Sequence, residues 1–215
     1  MNISKQTLLD EAASSGFRPE ILEKVLHLLA LLTSISKHPF LKQRVVLKGG
    51  TALNLFIFNL PRLSVDIDLN YIGATDLGKM NAERPYMRKA MEAVCKREGL
   101  TINYVSEAHA GYTFHLRYMS ALGQGGNLKI DLIFMYRVPL WLIVKSKSVP
   151  IGTQPQIEFP VLDIHELAGG KLKALLSRKA SRDLFEALRV SSYLTFSGLT
   201  PPVHIWWCEG RRYGA

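Results

Sequence analysis

A chain of 215 residues with 47% hydrophobic and 21% charged content can bury a core, which excludes global disorder and leaves room for one core domain plus an appendage. Its formal charge of +9 points to polyanionic partners, nucleotides or nucleic acid, without specifying a fold. Cys95 and Cys208 lie far apart and outside any CxxC or zinc-ligand spacing, which argues against a disulfide framework and fits a reducing, cytoplasmic location.

The first residues lack the basic-then-apolar layout of a secretory signal. Leu22, Val25, Leu26, Leu29 and Leu32 recur at helical spacing behind Pro19, so residues 19–36 are predicted as a helix. That stretch carries His27, Thr33 and Ser34 and falls short of the roughly 20 apolar residues of a membrane span, so no membrane partner is expected.

Arg44, Val45, Val46 and Leu47 form a short β-branched run that stops at Gly49-Gly50, and residues 51–59 read as a short apolar helix closed by Pro61. Residues 64–71 alternate apolar and polar at period two, the pattern of a half-buried strand. Residues 76–98 are predicted as a basic helix ending at Gly99, followed by extended segments near 101–105, 112–119 and 128–135 that look like antiparallel neighbours. A proline-marked stretch, 150–160, separates this mixed part from a helical one. The expected organisation is residues 1–155 as an N-terminal helix with a mixed α+β core and residues 156–215 as a helical C-terminal part. Asp163 and Glu166 have capping-box spacing at the head of a helix toward Arg178, and a second helix is expected over 182–193.

Chemistry concentrates in two segments. Gly49 and Gly50, between a strand and a helix, let backbone N–H groups approach an anion where the helix dipole favours phosphate, and Thr51 adds a hydroxyl there. On the next strand Asp66 and Asp68 project to one face while Val65, Ile67 and Leu69 project to the other. Two like charges so placed suit a divalent cation, and Mg²⁺ takes a few carboxylates together with substrate phosphates. Asp131, flanked by apolar residues on a predicted strand, is either a costly core charge or a third carboxylate directed into the same site. Three such carboxylates suit metal-assisted transfer of a nucleotidyl group. Each feature also has a plain structural alternative: a tight turn, a solvated strand edge, a solvated face.

The run Leu47-Lys48-Gly49-Gly50-Thr51-Ala52-Leu53, followed by Arg62, Ser64, Asp66, Ile67, Asp68 and Leu69, resembles the signature of the AbiEii/AbiGii nucleotidyltransferase toxins of the DNA polymerase β superfamily. Lys171 to Leu176, Arg178 and Arg182-Asp183-Leu184-Phe185 resemble that family's later basic helical motif. The resemblance implies a DNA polymerase β-like nucleotidyltransferase core with a mixed sheet and a helical C-terminal part. It implies metal ligation by Asp66, Asp68 and Asp131, and an NTP held around Gly49, Gly50, Thr51, Arg62 and Ser64. Lys171 would reach the nucleotide phosphates, with Arg178, Arg182 and Asp183 beside it. The implied acceptor is the 3′ end of tRNA, and the implied partner a cognate antitoxin. Independently, Lys171, Arg178 and Arg182 are spaced to share one face of a continuous helix.

Two departures are visible. Glu186 stands where the family often carries a second Asp after Asp183, and family members continue into further C-terminal helices whereas this chain stops at Ala215, soon after Trp206, Trp207 and Cys208, so a truncated C-terminal part is expected. They keep open a second reading, an inactive relative that binds nucleotide, RNA or a protein partner.

Other chemistry has less support. His115 and His165 have no second histidine at ligand spacing, no Gly-x-Ser-x-Gly elbow is present, and Lys48 precedes its glycines, the wrong order for a P-loop. The basic residues between Lys79 and Arg97 suit either an RNA backbone or solvent, and the aromatic residues show no RRM-like stacking motif.

Overall fold

The computed structural model describes residues 3–58, 63–152, 154–178 and 181–196. Helix α1 (Lys5–Ser15) starts at Ser4, whose hydroxyl accepts from the Thr7 N–H, and stops at Gly16 in the left-handed region. Helix α2 (Pro19–Lys37) begins with proline in its first turn and buries Leu22, Val25, Leu26, Leu29 and Leu32, the face that its periodicity predicts. Strand β1 (Val45–Lys48) runs into α3 (Gly49–Ala52), which continues as a π-helical turn over Leu53–Ile57. Then follow β2 (Asp66–Tyr71), α4 (Leu77–Arg97), β3 (Thr101–Ala108), β4 (Gly111–Met119), β5 (Gly125–Ile133), β6 (Val144–Lys147), β7 (Glu158–Val161), α5 (Ile164–Arg178) and α6 (Ser181–Phe196).

The strands form one sheet in the order β3-β4-β5-β2-β1-β7-β6. It is mixed: β2–β5 and β1–β7 are parallel, and the remaining neighbours are antiparallel. Alternation gives the sheet two unlike faces. Tyr112, Phe114, Leu116 and Tyr118 of β4 and Leu128, Ile130 and Leu132 of β5 are buried, and α2 and α4 pack against the sheet on that side. The intervening residues of the same strands face the other way. Glu83 of α4 binds the sheet electrostatically: Arg44 reaches it through two bonds of 2.8 and 3.2 Å, and the Tyr71 hydroxyl donates at 2.7 Å.

The three extended segments predicted near 101–105, 112–119 and 128–135 are the antiparallel neighbours β3, β4 and β5. Helix α1 and strands β6 and β7 were not predicted. The latter two are short, and β7 owes its place to a distant partner, since Leu47 of β1 pairs with Val161 and accepts a bond from the Leu162 N–H at 3.0 Å. The proline-marked stretch therefore contributes to the sheet. The chain divides into Met1–Gly170 and Lys171–Ala215, later than the boundary expected near residue 155. At the start of α5, Asp163 accepts the His165 N–H at 2.9 Å, as a cap should, while Glu166 Oε2 is buried without a hydrogen-bond partner, so the reciprocal half of the expected capping box is not made. No helix among the described residues is long and apolar enough to cross a membrane.

Candidate active site

The site begins at the end of β1. Lys48 is extended, and the chain turns at Gly49 with φ 76°, a conformation that only glycine adopts without strain. The close approach makes a second demand: a Cβ at Gly49 would lie 2.1 Å from Asp68 Oδ2 and 2.9 Å from its Cγ. The turn thus brings backbone directly against a carboxylate of β2. The N–H groups of Gly49, Gly50 and Thr51 lie in the first helical turn, where no intrahelical acceptor exists.

The Thr51 side chain is fully buried and its hydroxyl donates to the main-chain oxygen of Asp66, which ties α3 to the first residue of β2. What Thr51 offers at the turn is its N–H. Ser64 lies just before β2, and Arg62 lies outside the described residues.

Asp66 and Asp68 share the half-exposed face of β2 while Ile67 and Leu69 are buried, as the period-two reading requires. Pairing between strands supplies the third carboxylate. In register, Lys48 lies opposite Asp68, Asp68 beside Asp131, and Asp131 opposite Thr113. Neighbouring strands are about 4.8 Å apart, so Asp68 and Asp131 stand side by side on the same face. Asp131 is a residue of the open face and no core charge.

Two groups hold Asp131. The Thr113 hydroxyl donates to Oδ1 at 2.6 Å, and the Lys129 ammonium meets Oδ2 at 2.7 Å. The hydrogen bond to Asp131 raises the pKa of Lys129, and the negative charges of Asp131, Asp66 and Asp68 add to this, against a smaller opposing effect of burial. Lys129 is the counter-cation of the cluster. Neither it nor Thr113 was singled out from sequence. Lys129 carried a local signal, since residues two apart on a strand share a face, whereas Thr113 meets Asp131 only through the β4–β5 register.

Among the described residues no three His, Cys, Asp or Glu side chains converge as a preformed metal cage. The donor set nevertheless fits a hard cation: all three side chains are carboxylates on one face, and Mg²⁺ commonly takes one or two carboxylates and completes its shell with water and phosphate oxygens. Lys48, opposite Asp68, also places its ammonium 5.7 Å from the centroid of the Tyr136 ring.

The other sequence candidates separate. Lys171 lies in the second unit, with Arg178 on the same helix and Arg182, Asp183 and Glu186 on α6; the side chains of these last four fall outside the described residues, as do Trp206, Trp207 and Cys208. His165 is held by Asp163 at 2.7 Å and stacks on Trp141, and His115 stacks on Tyr104. On α4, Arg84 donates to the carbonyls of Ala108 and His109 at 2.9 and 3.1 Å, and Arg88 pairs with Glu92 at 2.9 Å, so the two central arginines of the basic helix serve the fold.

Residues 30–185 match the family described as "Nucleotidyl transferase AbiEii toxin, Type IV TA system". No curated protein matches the chain. Among solved structures, MenT4, a nucleotidyltransferase toxin from Mycobacterium tuberculosis, is similar at 20% identity with a TM-score of 0.50. The match covers 77% of this chain and 57% of that one, a likeness of fold in which this chain spans little more than half of its neighbour's length.

Proposed function

The chain belongs to the AbiEii nucleotidyl transferase toxin family, and on that premise we propose that it transfers a nucleoside monophosphate from an NTP to a hydroxyl acceptor, the 3′ end of tRNA. The observation that carries this reading is the open face on which Asp66, Asp68 and Asp131 stand in adjacent registers beside the Gly49 turn.

In the proposed reaction the turn at Gly49, Gly50 and Thr51 receives the triphosphate through its N–H groups. Asp66 and Asp68 would hold Mg²⁺, which would neutralise charge on the phosphates. Asp131, oriented by Thr113 and Lys129, accepts the proton of the acceptor hydroxyl. The hydroxyl oxygen then bonds to the α-phosphorus, the bond from that phosphorus to the bridging oxygen breaks, and pyrophosphate leaves with the electron pair. Phosphate contacts by Lys171, Arg178, Arg182 and Asp183 enter on the family match alone.

The biological role that goes with this chemistry is that of the toxin of a type IV toxin–antitoxin pair, acting in the cytoplasm and countered by an antitoxin. The test is incubation of the protein with Mg²⁺, each of four α-labelled NTPs and total tRNA, alongside a variant carrying Asp66→Ala and Asp68→Ala. Label on tRNA from the wild type alone supports the reading and names the nucleotide. Label on protein, or on nothing while NTP still binds, replaces it with a different acceptor or with the inactive relative.

A further inference from the structure

The carboxylates occupy only part of the open sheet face. One residue row along from Asp68 and Asp131, the register runs Asp66, Lys129, His115, Tyr104 across β2, β5, β4 and β3. The last two form a ring stack, with centroids 4.1 Å apart and planes inclined by 20°. Tyr104 is 56% exposed, so one face of its ring is open to a further ring or base. A β-bulge between Ile102 and Tyr104 sets this arrangement: Ile102 pairs with Leu116 and Tyr104 with His115, so the bulge places Tyr104 on the carboxylate face.

The next row carries Arg117, opposite Asn127. A Cβ on Gly125 would lie 3.1 Å from Arg117 Nη2, so the guanidinium rests over glycine backbone at the end of the same face. Arg117 has no carboxylate partner among the described residues, whereas Arg84 and Arg88 of α4 are bound to protein groups. An exposed aromatic stack with a neighbouring cation, on a sheet face that ends in carboxylates, is the combination by which single-stranded nucleic acid is held: bases on rings, backbone on positive charge.

We propose that Tyr104 and His115 form a stacking subsite for an unpaired base of the acceptor strand, with Arg117 on its backbone and its 3′ hydroxyl delivered to Asp68 and Asp131. This rests on the nucleotidyl-transfer reading above and adds a requirement to it. From β2 to β3 are three strand spacings, roughly 14 Å, so the base on Tyr104 and the 3′ hydroxyl belong to different nucleotides of one unpaired tail. The acceptor therefore needs a single-stranded 3′ tail of more than one nucleotide, and a blunt duplex end is a poor substrate.

The experiment uses RNA hairpins of one stem with 3′ tails of zero, two, four and six nucleotides, assayed for labelled-NMP transfer by wild type, Tyr104→Ala and Tyr104→Phe. Wild-type transfer is expected to rise with tail length from the blunt hairpin upward. Tyr104→Ala should raise KM for the tailed RNA about 5- to 150-fold, the range for loss of one stacked base, while KM for the NTP stays at its wild-type value. Tyr104→Phe, which keeps the ring, should restore the wild-type KM. His115→Ala, measured by anisotropy with a labelled hexaribonucleotide, should weaken binding in the same sense. If wild type modifies tailed and blunt RNA alike, or if Tyr104→Ala keeps the wild-type KM, the subsite is wrong and the transfer reading stands. If wild type modifies no RNA at all, both fall.

Discussion

The Asp68 carboxylate occupies the space that a side chain on Gly49 would need, with Oδ2 2.1 Å from where a Cβ would sit. One residue thus makes two demands on the turn, a left-handed φ of 76° and an absent side chain, and both bring the backbone of the turn against the Asp68 carboxylate. Gly49→Ala should cost about 1–3 kcal/mol of stability from backbone strain and displace Asp68. The measurement is a denaturant melt beside a transfer assay. Activity near wild type in a folded Gly49→Ala protein would show that the close approach is incidental.

Asp68→Asn keeps the shape and removes one of several neighbouring negative charges. Transfer should drop on the order of 10³-fold or more through lost charge stabilisation while the protein stays folded. A drop in melting temperature matching the drop in activity would mean that Asp68 is needed for folding instead.

Lys129 neutralises the cluster from within, 2.7 Å from Asp131. Replacing it with Met removes the cation that pairs with Asp131, so the metal-free protein should melt at a lower temperature and gain more from added Mg²⁺ than wild type does. Thermal melts with and without MgCl₂ decide this, and equal Mg²⁺-induced shifts in the two proteins would count against a cation site on this face.

Thr51 ties the turn to β2 through its hydroxyl. Thr51→Val keeps the volume but leaves the Asp66 carbonyl without its donor, at a cost of about 1–3 kcal/mol, while Thr51→Ser keeps the bond. The stability difference should appear without any NTP present. If the variants are equally stable and differ only in KM for the NTP, the hydroxyl acts on the substrate after all.

Acid should loosen the junction between the sheet and α4. The hydrogen bonds from Arg44 lower the pKa of Glu83 below its usual 4.5, and the Tyr71 hydroxyl acts in the same direction, against burial. A carboxylate whose folded pKa is depressed contributes stability that is complete above the unfolded pKa and is lost as pH falls through the folded one. Melting temperature should therefore drop as pH falls below 4.5, and Glu83→Gln should be less stable at neutral pH with a shallower acid limb. Parallel profiles for the two proteins would remove Glu83 as the source. At the other end, burial pushes the Tyr71 hydroxyl up to about 12, which keeps it a hydrogen-bond donor to Glu83 throughout the neutral range.

What was legible in the sequence is what local geometry dictates. Period-two alternation over residues 64–71 requires Asp66 and Asp68 to share a face, whatever the strand pairs with, and consecutive glycines between an apolar strand and an apolar helix mark a tight turn. The central strands were visible for the same reason, while β6 and β7 were not, because a short strand is made by its partner more than by its own residues.

The composition of the site was decided elsewhere. That Asp131 stands beside Asp68 depends on the parallel register of β2 on β5, that Thr113 and Lys129 orient it depends on β5 and its pairing with β4, and that Tyr104 meets His115 depends on a one-residue bulge in β3. The sequence carries the alternation of each strand but not the identity of its neighbour. A register slip of one residue would turn every one of these side chains to the opposite face, and only burial of the alternate apolar residues under α2 and α4 prevents it. The chain by itself determined which face each candidate residue takes on its strand, and the packing of the sheet determined which of them meet.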